Sequence, residues 1–170
     1  AFINGGSIRS SILGPRVSIA DCLNVLPFDN HLQLLEMTGA SLQKVFAQVR
    51  AEILNKPEFA GFLQVSRGFQ IRYEPQGNHV AFNGQPLESE KLYKVITNDF
   101  LAQGGNGLSG FTEATASASQ EILDVDAFMR FIHGADALNP AVEGRVVRTI
   151  KSPPYKRPSR QIRVRRISKP

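Results

Sequence analysis

The chain contains no tryptophan and a single cysteine among 170 residues, and it has no apolar run long enough to span a bilayer. Cys22 alone excludes an intramolecular disulfide and any site built from several thiolates, and it leaves the redox compartment open. His31, His79 and His133 are too dispersed to supply the short His-x-His or His-x-x-x-His pairs that metal sites often use, so no metal centre is expected within these residues. Acid is absent from residues 151–170, which hold eight Lys and Arg and four prolines. Residues 1–4 lack the charged segment and long apolar stretch of a sorting signal.

What is present describes a soluble globular body. Hydrophobic residues make up 42% of the sequence and charged residues 21%, which suits one packed domain rather than a disordered or membrane-embedded chain. The net charge of +5 comes from the end of the chain: without residues 151–170, 12 basic side chains face 15 acidic ones, a net of −3. The expected organisation is a mildly acidic domain over residues 1–150 and a basic flexible tail over 151–170.

Periodicity divides the body into helices and strands. Phe2 and Ile3 run into Asn4-Gly5-Gly6 like the end of a buried strand entering a glycine loop, as if the domain lacked its N-terminal part. Ser18 and Asp21 form a capping-box pattern for a helix with Ile19, Leu23 and Leu26, which Pro27 stops. Residues 31–37 place Leu32 and Leu34 at strand spacing. From Thr38 a helix follows with the apolar face Leu42, Val45, Phe46, Val49 and Ile53. Phe69, Ile71 and Tyr73 alternate with polar residues, and a turn at 75–78 leads to a second strand over 79–82. Asn83-Gly84 favours a tight turn with positive φ. A strand over 93–97 then enters a long glycine-rich loop. Asp124 is expected to cap a helix carrying Val125, Phe128, Met129 and Ile132, with Gly134 as its stop and a last strand over 144–150. The pattern is α+β, with mixed sheets flanked by helices and no repeats.

Chemistry concentrates in the loops. Backbone N–H groups around Gly5 and Gly6, with the planar fork of Arg9, could hold an anion, although a plain turn with a solvated Arg9 explains the same residues. Residues 104–107 lack the lysine and hydroxyl of a phosphate-binding P-loop. Phe28 and Phe100 each end a regular element beside a loop, where a ring stacks on a flat ligand or lids the core. Gly77-Asn78-His79 reads as a hairpin turn, and no spacing singles out a nucleophile with its base.

Five segments in order carry a resemblance: NGGSIR at 4–9, NVLPFDN at 24–30, FLQVS at 62–66, TNDFLAQGGNG at 97–107 and PAVEGRV at 140–146. Together they resemble the C-terminal, substrate-specificity domain of the 5'-nucleotidase family, which includes UDP-sugar hydrolases and cyclic-nucleotide phosphodiesterases. The resemblance implies a hydrolase whose N-terminal metallophosphoesterase domain holds two divalent metal ions while this domain binds a nucleoside or nucleotide. On that basis the isolated chain is inactive. Phe28 and Phe100 would sandwich the base, Asn30 would reach its edge, and Asn4, Gly6 and Arg9 would face the phosphate or ribose end. Gly104, Gly105 and Asn106 stand where family members carry a glycine-rich loop with an aspartate for the ribose. Asn106 replaces that aspartate and Arg67 replaces a glycine. The resemblance also implies a periplasmic, secreted or cell-surface setting. The competing expectation is a non-catalytic interaction or anion-binding module whose basic tail contacts a polyanion.

Overall fold

The computed structural model describes residues 1–13, 16–56, 58–135, 138 and 140–150. The proposed basic tail at 151–170 lies outside the described residues.

Strand β1 (Phe2–Asn4) is followed by a 3-10 turn at Gly5–Ser7 and then helix α1 (Ile19–Val25). The expected capping box is present: Ser18 Oγ accepts from the Asp21 backbone N–H at 3.2 Å, and Asp21 Oδ2 accepts from the Ser18 N–H at 2.8 Å. Strand β2 (His31–Thr38) feeds helix α2 (Gly39–Asn55), whose first turn is capped by Thr38 Oγ1 accepting from Ser41 N–H. Strands β3 (Leu63–Val65), β4 (Phe69–Tyr73), β5 (Asn78–Phe82), β6 (Gln85–Pro86) and β7 (Leu92–Asn98) follow. A short helix α3 (Asp99–Ala102), strand β8 (Ala116–Leu123), helix α4 (Asp124–His133) and strand β9 (Val146–Arg148) complete the order.

Three sheets result. β1 pairs antiparallel with β3, β2 lies between β7 and β8 with antiparallel partners on both sides, and the third sheet runs β6-β5-β4-β9 with β9 parallel to β4. Helix α2 buries Leu42, Val45, Phe46, Val49 and Ile53 completely or nearly so, as its spacing requires. The β4–β5 hairpin forms as expected, and Asn83 and Gly84 take φ of 51° and 77° in the turn to β6.

Phe2 stands at the centre of the core. Its ring meets Phe46 edge-on at 5.6 Å, Phe69 at 4.9 Å and Phe111 at 6.1 Å, joining β1 to α2, β4 and the segment after α3. Such tilted and edge-on pairs add to area burial because the positive ring edge meets a negative face. Thr97 Oγ1 donates to the Phe2 carbonyl at 3.1 Å, which fixes β1 against β7. The core thereby determines where the next residues, Asn4 to Ser7, emerge.

Strand β2 forms as expected, with Leu35 and Met37 buried and Leu32 and Leu34 on the opposite face. Two expectations are corrected. The glycine-rich loop after β7 contains α3 and two 3-10 segments at Gly105–Gly107 and Ser109–Glu113. Asp124 does not cap α4; Leu123 occupies the cap position and Asp124 is the first helical residue. Strand β8 is an addition to the expected elements, an exposed run of Ala, Ser, Gln and Glu with no apolar alternation to reveal it.

Phe2→Ala is expected to cost about 3–5 kcal/mol of stability by chemical denaturation, the range for emptying a buried aromatic site. Leu34→Ala on the outward face should cost less than half as much. Equal losses would contradict the assignment of Phe2 to the centre of the core.

Candidate functional site

The loops that carry the proposed site residues meet at one end of the β7-β2-β8 sheet. β2 begins there and β7 ends there, with Leu32 opposite Asn98 in the ladder. His31, just after the Phe28–Asn30 loop, brings Nδ1 to 3.8 Å from Asp99 Oδ2, and Asp99 directly precedes Phe100. The segments bearing the two phenylalanines are therefore neighbours in space although about seventy positions apart in sequence.

Both rings are unusually open for their type. Phe28 is 52% exposed and Phe100 is 43% exposed, whereas Phe2, Phe46 and Phe111 are almost sealed. Arg9 Cζ lies 5.9 Å from the Phe28 ring centroid, and Arg9 Nη1 donates to the Gly6 carbonyl at 3.3 Å. The guanidinium thus holds Phe28 by a cation–π contact, so Arg9 is already engaged with residues of the loops. Phe100 packs on Gly105: a Cβ there would lie 2.5 Å from a ring carbon and from the Phe100 carbonyl oxygen. Only glycine permits that approach. Gly6 has a similar constraint, since a Cβ would meet Ala60 at 2.9 Å while the Gly6 N–H donates to the Ala60 carbonyl.

A side-chain cluster ties these loops together. Asn98 caps α3, its Oδ1 accepting from Leu101 N–H at 2.9 Å, and its Nδ2 lies 3.5 Å from Asn4 Oδ1. Asn4 is 4% exposed, and its Oδ1 also accepts from Ser7 Oγ at 2.6 Å. Asn4 Nδ2 donates to Asn106 Oδ1 at 3.1 Å, which reaches the glycine-rich segment. Gly104 has φ of 81° and Asn106 φ of 58°, left-handed values that glycine and asparagine adopt most readily. Asn4, Gly6, Arg9 and Phe28 are thus linked to Asn106, Gly105 and Phe100 by an unbroken series of contacts. Asn98 and Ser7 are missing from the sequence reading; the signal for Asn98 is an asparagine before Asp99 at a helix start, a preferred capping pair.

Asn30 sits apart from that cluster. Its Nδ2 donates to Asp124 Oδ2 at 3.2 Å, and its carbonyl accepts from Asp124 N–H at 2.8 Å. Burial pushes the Asp124 carboxyl above the ordinary carboxylate range; the Asn30 amide opposes this, and Asp99 and Asp29 add to it. A helix N-terminus favours a negative charge, yet here burial outweighs it. The triplet Gly77-Asn78-His79, expected as a turn, is one only at Gly77, whose carbonyl accepts from Glu74 N–H; Asn78 and His79 already belong to β5, and His79 Nε2 lies 3.4 Å from Glu74 Oε2. A cavity of about 820 Å³ has walls from β4, β5 and Gln43 and includes none of the proposed site residues. Size alone does not select a site: the cavity walls bring together no phenylalanine pair and no asparagine cluster.

Among the described residues no three His, Cys, Asp or Glu side chains form a group able to hold a metal ion. These residues therefore do not provide the donor set for the metal pair that the resemblance implies.

Comparisons with known proteins show the family. The family described as 5'-nucleotidase, C-terminal domain, matches residues 1–113. This chain belongs to that family. It is 30% identical over 160 residues to the trifunctional nucleotide phosphoesterase protein YfkN of Bacillus subtilis, covering 86% of this chain and 11% of the relative. It is 31% identical over 164 residues to a 5'-nucleotidase of Diplobatis ommata, covering 86% and 28%. Among solved structures it resembles the 5'-nucleotidase precursor from Thermus thermophilus with a TM-score of 0.75 and 27% identity, over 86% of this chain and 31% of that one. The chain thus spans less than a third of the length of each of these three proteins.

The pH dependence of Asp124 provides a check. Its folded-state pKa lies above the unfolded value, so its stabilising contribution is full below the unfolded value and is lost as pH rises through the folded value. Asp124→Asn should raise the thermal midpoint at pH 7, and the gain should shrink as pH falls toward the acid range. A gain that does not change with pH would contradict burial as the cause.

Proposed function

We propose that the body of this chain grips the nucleoside part of a nucleotide on behalf of a metal-dependent phosphoesterase domain in the same protein. The carrying observation is the pair of exposed rings, Phe28 on the loop before β2 and Phe100 on the adjacent helix α3, at one end of a sheet, in contrast to the sealed phenylalanines of the core. Family membership supports the reading, as do relatives named for nucleotide phosphoesterase and 5'-nucleotidase activity.

A base inserted between two rings gains π-face contact that is tolerant of base identity, worth about 1–3 kcal/mol per ring by alanine substitution. Arg9 backs Phe28 and Gly105 backs Phe100, so neither ring has to be ordered at the moment of binding. Preorganisation of this kind lowers the entropy cost of association. Asn30 would meet the base edge with Oδ1, since its Nδ2 is committed to Asp124. Asn4, Gly6, Gly104, Gly105 and Asn106 would form the wall toward the sugar and phosphate. The two divalent metal ions, held by the other domain, would supply Lewis-acid activation of the phosphate ester; the residues here would fix the nucleoside against that centre. A relative named as a snake venom 5'-nucleotidase supports the secreted setting among the periplasmic, secreted or cell-surface ones expected.

Titration of adenosine and AMP into the chain tests the grip. Phe28→Ala and Phe100→Ala should each weaken binding by about 1–3 kcal/mol, with thermal midpoints close to the parent because both rings are exposed. Unchanged affinity in both variants would overturn the sandwich.

A further inference from the structure

Two turns are held close to the core by glycines, and each carries a cation. Gly39 opens α2, and a Cβ there would collide with the Glu88 carbonyl. Its N–H donates to the Lys91 carbonyl at 3.0 Å, and the Ala40 N–H donates to the Ser89 carbonyl at 3.0 Å. The 88–91 turn is thereby fixed, with Lys91 at its end. Gly68, at φ of 97°, lets the 66–69 turn close on β5: a Cβ there would lie 2.8 Å from Asn83 Oδ1 and 3.0 Å from a Phe82 ring carbon. Arg67 belongs to that turn, and 88% of its side chain is exposed.

Both turns border a hollow of about 550 Å³, within the size range of small-molecule sites. Part of its wall is aromatic. Phe69 is buried and meets Phe82 at 4.8 Å between centroids, and Phe82 meets Tyr93 edge-on at 6.3 Å, with these two rings only half-buried. Tyr93 is pinned by its hydroxyl, which accepts from Glu88 N–H at 3.0 Å. Arg67, Lys91 and Lys94 border the same hollow, and Glu88 is the one acid among the described residues that do. Lys91 Nζ lies 5.8 Å from the Tyr93 ring centroid, so charge and ring are side by side. Each cation also has a carboxylate nearby: Arg67 lies 3.3 Å from Glu143, Lys91 2.7 Å from Glu88 and Lys94 3.8 Å from Glu36. These pairs are open to solvent, and such pairs hold their partners weakly, so an entering anion competes with carboxylates that water already screens.

We propose that this hollow is a second ligand site, for a small aromatic anion: a flat ring that carries a phosphate or a carboxylate. The ring lies against Phe82 and Tyr93, and the anionic group meets Lys91 and Arg67. Rings alone would take any flat neutral molecule, and cations alone any anion. Side by side in one hollow they select a ligand that has both. None of the residues bordering the hollow belongs to the candidate nucleoside site, so the two sites load independently.

Titration of the full chain with phenyl phosphate, methyl phosphate and benzyl alcohol, followed by calorimetry and by NMR, tests the proposal. Phenyl phosphate should bind saturably and shift the ring resonances of Phe82 and Tyr93. Methyl phosphate lacks the ring and benzyl alcohol lacks the charge, so each should bind at least about tenfold more weakly, the size of a withheld ring contact or charge-assisted hydrogen bond. Lys91→Gln and Arg67→Gly should each weaken phenyl phosphate by about fivefold or more. Their thermal midpoints should stay close to the parent, because both side chains are exposed. The absence of saturable binding overturns the proposal, as does methyl phosphate binding as tightly as phenyl phosphate. Unchanged affinity in both cation variants overturns it as well. Resonance shifts at Phe28 and Phe100 without shifts at Phe82 and Tyr93 would put the ligand in the other site and overturn it too.

Discussion

The hydrogen bond between Asn4 and Asn106 joins two loops that share no secondary structure, and the geometry of the candidate site depends on it. One partner emerges from β1, the other from the glycine-rich segment after α3, and Asn98 joins both to the end of β7. Asn4 is almost wholly buried, so leaving its amide without partners would cost about 1–3 kcal/mol, more than an ordinary exposed hydrogen bond returns. That asymmetry makes the cluster all-or-none. With all its partners present it holds Gly6 and Gly105 in place, and through them Arg9, Phe28 and Phe100.

The cluster can be satisfied because the core delivers its members to one place. Phe2 is packed among Phe46, Phe69 and Phe111, and two residues further along the same strand lies Asn4. β7 runs antiparallel to β2, so its last residue, Asn98, arrives where the Phe28–Asn30 loop enters the sheet. Hydrophobic packing thus fixes positions and the amides fix orientations. Interior packing tolerates little slack, so the amide geometry follows closely from ring positions in the core.

Much of this was legible in the sequence where a single period dominates. The five apolar positions of α2 and the alternation of β4 identify their elements because each has one buried face and one wet face. The α+β class, the hairpin and the α1 capping box followed from such local signals, and the family resemblance came from five motifs in order. β8 did not, because Ala, Ser and Gln on an exposed edge carry no burial pattern. The strand β2 was legible but its buried face was not: Leu occurs on both of its faces, and only pairing with β7 and β8 decides that Leu35 and Met37 turn inward. Among the proposed site residues, Phe28, Phe100 and the glycines stood out as loop features. Asn98 and Ser7 did not, because their importance lies in contacts across the fold rather than in a spacing along the chain. The direction of each amide is still less visible in sequence, since it follows from a chain of partners anchored at the Leu101 N–H.

A crystal structure of the chain with adenosine bound would test the central claim most directly. The base is expected between Phe28 and Phe100, with the three asparagines in their present orientations. Adenosine lodged instead against β4 and β5, with Phe28 and Phe100 untouched, would contradict it.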